Sequence, residues 1–490
     1  EYFEIYFGND PDKRKKILAT GEKYEEDDFK ERYDNKILSC SHQLNVNTKD
    51  FQLDNIQRKM CHIIDGLNPA RRKILAGSLN KFRQSNTKLK VFQLGGYIAE
   101  KMFYHHGSDS LNKTIINMAQ DFPGSRNIPL LLPIGQFGSR LGGGKDAGSP
   151  RYIDTKLNKA ITDLLFPHID DNLLEYHIID GEIGEPKYFI PVIPLVLLED
   201  VCLPSSGWKI EIYARDISQV IKNVKSMIED EDYTLKNMKY FKNKFKGREV
   251  LNSEYNMLIG KYEIPDKTKD QILITELPPK IWNENFIEML EKKEFIDDII
   301  DESSIYDVKI KVFFKKGELN RLKDEYESKN EYLDYIEHNL KLYSKLSHHI
   351  NLYTQKNTVL EFKNYTDIIK HWYIVRKECY FQRIEREQII LKYKIMITES
   401  IIKFIENHES YGISKKSDKI AIEILTSHNY IMLNKTIIDS PGLIKNEDLE
   451  NHILNVNQSY DYLLNLSYRK MNSESYERCK TNLEELKNKL

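Results

Sequence analysis

Tyr152 closes the stretch Gly142-Gly143-Gly144-Lys145-Asp146-Ala147-Gly148-Ser149-Pro150-Arg151-Tyr152. Four glycines remove steric cover and Pro150 fixes a bend, so the Arg151-Tyr152 pair is expected in a thinly shielded place. A tyrosine beside a fixed cation is suited to attack on a phosphodiester. Its hydroxyl, with a reference pKa near 10, is a poor nucleophile until cations favour the phenolate and stabilise the charge growing on phosphate. Arg58, Arg72 and His106 lie in the same basic segment and could converge on such a site. His106 follows His105 in Tyr104-His105-His106-Gly107, where Gly107 lets backbone approach a ligand. A histidine pair is also compatible with one packed and one exposed imidazole. With 30 tyrosines in the chain, the loop alone does not single out Tyr152.

Other chemistries find less support. Gly142-Gly143-Gly144-Lys145 lacks the spacing and the Ser/Thr of a P-loop, and no clustered carboxylates or D-x-D stand beside the basic segment. No metal ligands are assigned within the chain. The acidic run Glu229-Asp230-Glu231-Asp232 reads as a solvated loop. Cys40, Cys61, Cys202, Cys379 and Cys479 are scattered without a C-x-x-C pair, which argues against a disulfide framework or a zinc cluster.

Net charge of −2 over 490 residues conceals an asymmetry. Between Ile56 and Ala160 there are 17 Lys and Arg against 6 Asp and Glu, a net +11, leaving −13 elsewhere. One basic segment in an acidic chain is a polyanion footprint, or a solvated basic face. The length implies several domains. No apolar run is long enough to span a membrane. The start, Glu1-Tyr2-Phe3-Glu4, lacks the features of a signal peptide and an initiator Met. Residues 1–50, with Glu25-Glu26-Asp27-Asp28, read as a connector from an upstream domain.

The elements that must position Tyr152 follow from periodicity. A helix is predicted from Asp50 to about Ile64, broken by Asp65-Gly66-Leu67-Asn68-Pro69. Basic helices follow from Ala70, from Val91 to Phe103 and from Asp109 to Ala119, then a short strand at Leu130-Leu131-Leu132. That succession outlines a winged-helix module. Phe189 to Leu198 reads as a buried strand, with further strands near Tyr255 to Tyr262, Gln271 to Thr275 and Val308 to Phe314. Helices are expected around Ile217 to Ile228 and Asn285 to Lys292, giving an α+β domain. Glu361 to Tyr411 contains neither Gly nor Pro, enough for a helix of about 75 Å. Leu391, Ile395, Thr398, Ile402 and Ile405 repeat as a coiled-coil seam, and Leu483, Leu486 and Leu490 continue such spacing on another helix. Together they suggest an antiparallel arm, or a plain helical bundle.

Five segments, in order, carry a resemblance. Asp65-Gly66-Leu67-Asn68-Pro69-Ala70-Arg71-Arg72-Lys73, Tyr104-His105-His106-Gly107, Leu131 to Arg140, Gly143 to Ala147 with Arg151-Tyr152-Ile153, and Ile274-Thr275-Glu276-Leu277-Pro278 resemble the DNA-breakage core of eukaryotic-type type IIA DNA topoisomerases. The resemblance implies a multidomain α+β protein: a winged-helix domain (51–190), an α/β tower domain (191–345) and a long antiparallel coiled-coil C-gate dimerisation domain (346–490). It implies that Tyr152 attacks DNA to form a 5′-phosphotyrosine, that Arg151 stabilises the scissile phosphate, and that His106 and Arg72 lie beside it. Arg58 and Asp65 match positions near bound DNA, and Lys145 and Arg140 would line the path of the duplex. Mg²⁺ would be held by a Toprim domain and ATP by an ATPase domain, both outside this chain. Partners would be double-stranded DNA and a second copy, through the C-gate and winged-helix domains, with no membrane.

Three departures qualify the likeness. Asn68 stands where the family commonly has Lys, and Gly148-Ser149-Pro150 replaces a run of small residues. Pro204, in Cys202-Leu203-Pro204-Ser205-Ser206-Gly207-Trp208, falls where the family carries an isoleucine that wedges between base pairs. Proline is itself among the apolar wedges used to unstack a step, so Pro204 is expected to intercalate. Such departures resemble those of large cytoplasmic DNA viruses, which would place the protein in a viral factory in the host cytoplasm; a cellular member would be nuclear. A tyrosine recombinase and an architectural DNA-binding protein are the alternative readings.

Overall fold

The computed structural model describes residues 2–19, 40–251, 256–265, 270–326, 332–413, 416–467 and 471–490. The acidic run Glu25 to Asp28 and Tyr255 lie outside them. Two compact units result, one of residues 1–166 with 175–373 and one of 167–174 with 374–490.

In the first unit four helices carry the basic segment: α1 (Thr48–Lys59), α2 (Pro69–Phe82), α3 (Val91–Lys101) and α4 (Ser108–Ala119). Leu75, Leu79 and Phe82 on α2, Val91, Leu94 and Ile98 on α3, and Leu111, Ile115 and Met118 on α4 recur at three- and four-residue steps and are all buried. Helix α1 stops short of Ile64, because Met60 turns to an extended conformation and His62 bridges to Tyr353. Pro69 occupies the first turn of α2, where no intrahelical donor is lost, and the Asn68 side chain accepts from the Arg71 amide at 3.0 Å as an N-cap. The departure at Asn68 thus has a structural reason. A three-stranded antiparallel sheet of β1 (Leu89–Lys90), β2 (Leu131–Ile134) and β3 (Asp154–Leu157), in the order β1-β3-β2, completes the winged-helix outline.

The same unit continues into an α/β region. A hairpin of β4 (Val201–Pro204) and β5 (Lys209–Ile212) precedes helix α5 (Ile217–Glu229). Beyond it lie β6 (Lys261–Glu263), β7 (Gln271–Glu276), helix α6 (Asn283–Glu291), β8 (Ile296–Asp301) and β9 (Ile310–Phe314). These strands form an antiparallel sheet in the order β6-β7-β9-β8. Ile272 and Ile274 on β7 and Ile310, Val312 and Phe314 on β9 alternate inward, where Phe286 and Leu290 of α6 cover them. The run from Phe189 to Leu198 is corrected: it forms no strand, only a single 3₁₀ turn at Leu195–Leu197. Pro191 and Pro194 remove two backbone donors from a ladder, yet Leu195, Val196, Leu197 and Leu198 are buried all the same.

Helix α7 spans Tyr365–Tyr411, 47 residues, and its portion from Ile374 belongs to the second unit. Tyr393, Ile397 and Phe404 enter a core with Leu425, Leu433, Leu449, Ile453 and Leu463 from shorter helices. Ile395, Thr398 and Ile405 of the expected seam are buried and Leu391 and Ile402 half-buried. Helix α8 (Ser473–Lys489) runs antiparallel to α7: the Tyr476 hydroxyl donates to Glu406 at 2.6 Å, and Lys487 meets Glu399 at 2.7 Å. Within this unit Asp170 bridges Arg376, at 2.7 Å, and Arg383.

Candidate active site

Tyr152 stands 79% exposed, two residues before β3. Its amide donates to the Ser149 carbonyl at 2.9 Å, so the tyrosine closes a tight turn over Pro150 and Arg151. The start of α3 grips that turn. The amides of Val91 and Phe92 donate to the carbonyls of Ile153 and Pro150, both at 3.1 Å, and the Arg151 guanidinium lies 5.8 Å from the Phe92 ring centroid. Lys90, which pairs with Asp154 across the β1–β3 ladder, donates from Nζ to the Tyr152 carbonyl at 3.2 Å and to Asp154 at 3.1 Å. The bonds to Lys90, with Lys88 nearby, hold the Asp154 carboxyl below its ordinary range. Lys90 is a site residue that sequence reasoning missed; its signal, a lysine just ahead of an apolar helix, is shared by many lysines.

Arg58, Arg72 and His106 come together elsewhere, lining a cleft of ≈ 660 Å³ whose lining does not include Tyr152. Arg58 and His106 are exposed there, and the His106 ring sits edge-on to Tyr104 at 5.3 Å. Arg72 is different. It is 5% exposed, and Asp65, expected near bound DNA, is wholly buried beside it. The Asp65 carboxylate accepts from Arg72 Nε at 2.7 Å and Nη2 at 3.1 Å, and from the amides of Leu67 at 2.9 Å and Phe189 at 3.0 Å. Asp65 is therefore an internal anchor and does not reach the surface. Next to it Gly66 adopts φ +66, and a Cβ there would come within 2.7 Å of the Val196 backbone.

Other residues of this region were not foreseen. His62 stacks on Tyr188, with centroids 4.6 Å apart, and burial pushes it down to about 4, with Asp65 opposing and Arg72 adding to the shift. Lys73 meets Glu185 at 2.7 Å and donates to the Met102 carbonyl at 2.6 Å. Arg71 is pushed down to about 10 by the neighbouring Arg126, with burial second.

The loop ahead of Tyr152 separates Lys145 from Arg140. Lys145 is exposed. Arg140, expected along the duplex path, is 5% exposed, and its Nη2 donates to Glu276 Oε1 at 2.8 Å. It thus faces inward, toward the end of β7. Pro204 is exposed at the end of β4, opposite Lys209. Its hairpin tip is held to α1, where Asn55 donates to the Ser206 hydroxyl at 2.8 Å.

A winged helix offering an exposed tyrosine beside an arginine, on a basic segment, has the form of a DNA-breakage module. Residues 58–490 match the family of DNA gyrase/topoisomerase IV A-type subunits, and the chain belongs to that family. It is similar to DNA topoisomerase 2 of African swine fever virus (strain Badajoz 1971 Vero-adapted), 37% identical over 96% of this chain and 41% of that relative. It is also similar to DNA topoisomerase 2-beta of Mus musculus, 39% identical over 49% of this chain and 14% of the relative. Among solved structures, the Plasmodium falciparum topoisomerase II DNA-binding, cleavage and re-ligation domain matches with a TM-score of 0.81 at 30% identity, covering 99% of this chain and 65% of that one. The chain thus spans about two fifths of the length of its viral relatives. The family membership decides against the recombinase and architectural readings. Among the described residues, no helix is long and apolar enough to cross a membrane.

Proposed function

We propose that this chain is the DNA-cleavage and re-ligation core of a type II DNA topoisomerase, acting on double-stranded DNA as a homodimer through transient double-strand breaks. Support comes from one observation above the rest: a 79% exposed tyrosine, next to Arg151, on a turn fixed by α3 and β3 in a chain of this family. The Tyr152 oxygen attacks the phosphorus of a backbone phosphodiester, giving up its proton. The bond from phosphorus to the 3′ oxygen breaks, and that oxygen takes up a proton. The products are a 5′-phosphotyrosine and a free 3′ hydroxyl, so the bond energy is conserved and resealing is the same exchange reversed. Arg151 offsets charge on the phosphate, with Arg58, Arg72 and His106 beside the path of the DNA. In this reading Lys145 contacts the duplex backbone and Pro204 enters the base stack.

Mg²⁺ and ATP belong to the full-length reading. Among the described residues there is no group of three or more His, Cys, Asp and Glu that could hold a metal ion. No step here is routed through Mg²⁺; its ligands are assigned to a Toprim domain, and ATP to an ATPase domain. A viral source would place the protein in the host cytoplasm, a cellular one in the nucleus.

The test is Tyr152→Phe in the full-length protein. Supercoil relaxation and covalent DNA adducts should both vanish while duplex binding persists. Adduct formation by the variant would remove Tyr152 from its role.

A further inference from the structure

Tyr152 is exposed, and its backbone is held on both sides. On the C-terminal side that backbone is fixed by β3 and by Lys90. On the N-terminal side it continues into residues 138–148, a closed loop. Asp146 accepts from the Ser139 amide at 2.9 Å and hydroxyl at 2.6 Å, the Gly144 amide donates to the Ser139 carbonyl at 2.9 Å, and the Gly148 amide returns to the Gln136 carbonyl at 2.8 Å. This loop is held by Gln120, just past α4, which donates to the Phe137 carbonyl at 2.9 Å, and by the α/β region more than a hundred residues away.

Three contacts make that connection. Arg140 meets Glu276, whose carboxylate also accepts from the amides of Leu277 at 3.0 Å and Lys246 at 3.1 Å, so the pair is fixed on the β7 side. The Glu284 amide at the start of α6 donates to the Leu141 carbonyl at 3.2 Å. Trp282, just ahead of α6, lies against the glycines: a Cβ on Gly143 (φ +65) would stand 2.4 Å from its indole. The same indole meets Phe122 edge-on, with centroids 5.7 Å apart. An aromatic wedge from the α/β region and a buried ion pair joining the loop to it therefore clamp the segment that leads into the nucleophile.

We propose that Trp282 and the Arg140–Glu276 pair are positioning residues for Tyr152, through which the α/β region sets the aim of the nucleophile. This rests on the reading of Tyr152 as the group that attacks DNA. None of the three touches the reacting atoms. Their effect is on placement, and misplacement of a reacting group by about 1 Å can cost on the order of 100-fold in rate.

The experiment uses the full-length protein and a duplex oligonucleotide, reading the rate of covalent adduct formation at saturating DNA, the DNA dissociation constant and the melting temperature. Trp282→Ala and Glu276→Gln should each slow adduct formation by about 10- to 100-fold, with DNA affinity held to within about twofold. Gly143→Ala should be slow in the native background and recover part of its rate when combined with Trp282→Ala, because the small side chain vacates the space the new Cβ needs. Trp282→Phe, which keeps an aromatic ring, should lie between. Should Trp282→Ala fail to fold, Trp282→Phe and Glu276→Gln carry the test. Native adduct rates in the folded variants, or losses that track DNA affinity, would overturn the proposal. A Tyr152→Phe control separates the two claims: adducts in that control sink the nucleophile assignment, whereas an inert control beside unimpaired clamp variants sinks the clamp alone.

Discussion

Arg72 and Asp65 meet in a two-pronged buried ion pair, Nε to Oδ2 at 2.7 Å and Nη2 to Oδ1 at 3.1 Å. The third guanidinium contact, to the Leu67 carbonyl at 2.8 Å, ties the same arginine to the turn that launches α2. Arg72 reaches the cleft, but most of its donors are committed inward. Burial opposes its charge, while Asp65 more than offsets that and raises its pKa.

Asp65→Asn should accordingly act on stability before it acts on DNA. It leaves a guanidinium buried without its counter-charge, a change that typically costs about 3–5 kcal/mol. Chemical denaturation should show a lowered midpoint with an unchanged slope. A midpoint equal to that of the native chain would mean the pair is not a support.

Lys90→Met tests the grip on Tyr152 from the α3 side. The substitution keeps the length of the side chain and removes the donor to the Tyr152 carbonyl and to Asp154. Adduct formation at saturating DNA should fall by about tenfold. Since Lys90 is partly exposed, the DNA dissociation constant must be measured alongside; a loss confined to affinity would make Lys90 a phosphate contact alone.

His62 predicts a pH dependence. In the fold it titrates near 4, against 6.5 when unburied, because burial disfavours its charged form. Between those values the unfolded chain binds the extra proton and the folded chain does not, so stability rises with pH across the window. It is fully present above about 6.5 and declines as pH falls toward 4, by up to about 3 kcal/mol. Denaturation midpoints at pH 7 and pH 4.5 should differ for the native chain and converge for His62→Phe. Equal midpoints in the native chain would refute the assignment.

Pro204→Gly probes the wedge. Duplexes labelled at both ends should report a smaller bend on binding the variant, since unstacking a step is offset by contacts that only bent DNA can reach. An unchanged end-to-end distance would assign Pro204 to the hairpin and not to the base stack.

Much of the scaffold was legible because it rests on local pattern. The helix from Tyr365 could be read from the want of Gly and Pro, and strands β7 and β9 from alternation. The Phe189 to Leu198 run misled because burial and strand geometry are separate properties, and two prolines permit only the first. Charged residues were the harder case. Arg140 and Asp65 both looked like polar groups available to DNA, and each is neutralised internally. Arg140 finds its partner 136 positions away, and no window of sequence connects them. Lys90 went unread for a related reason: its role depends on a ladder pairing with Asp154, 64 residues on.

The contact between Gly143 and Trp282 bears on how this chain could be recombined. Residues 51–190 and 191–345 look like interchangeable modules on a sequence map, with an obvious place to splice between them. The indole crosses that boundary and fills the space a side chain on the glycine loop would need. A chimera taking its α/β region from a relative without the tryptophan would keep every residue next to the tyrosine and still lose the part that aims it. Modularity in this chain stops short of the seam, and any graft must carry both halves of the contact.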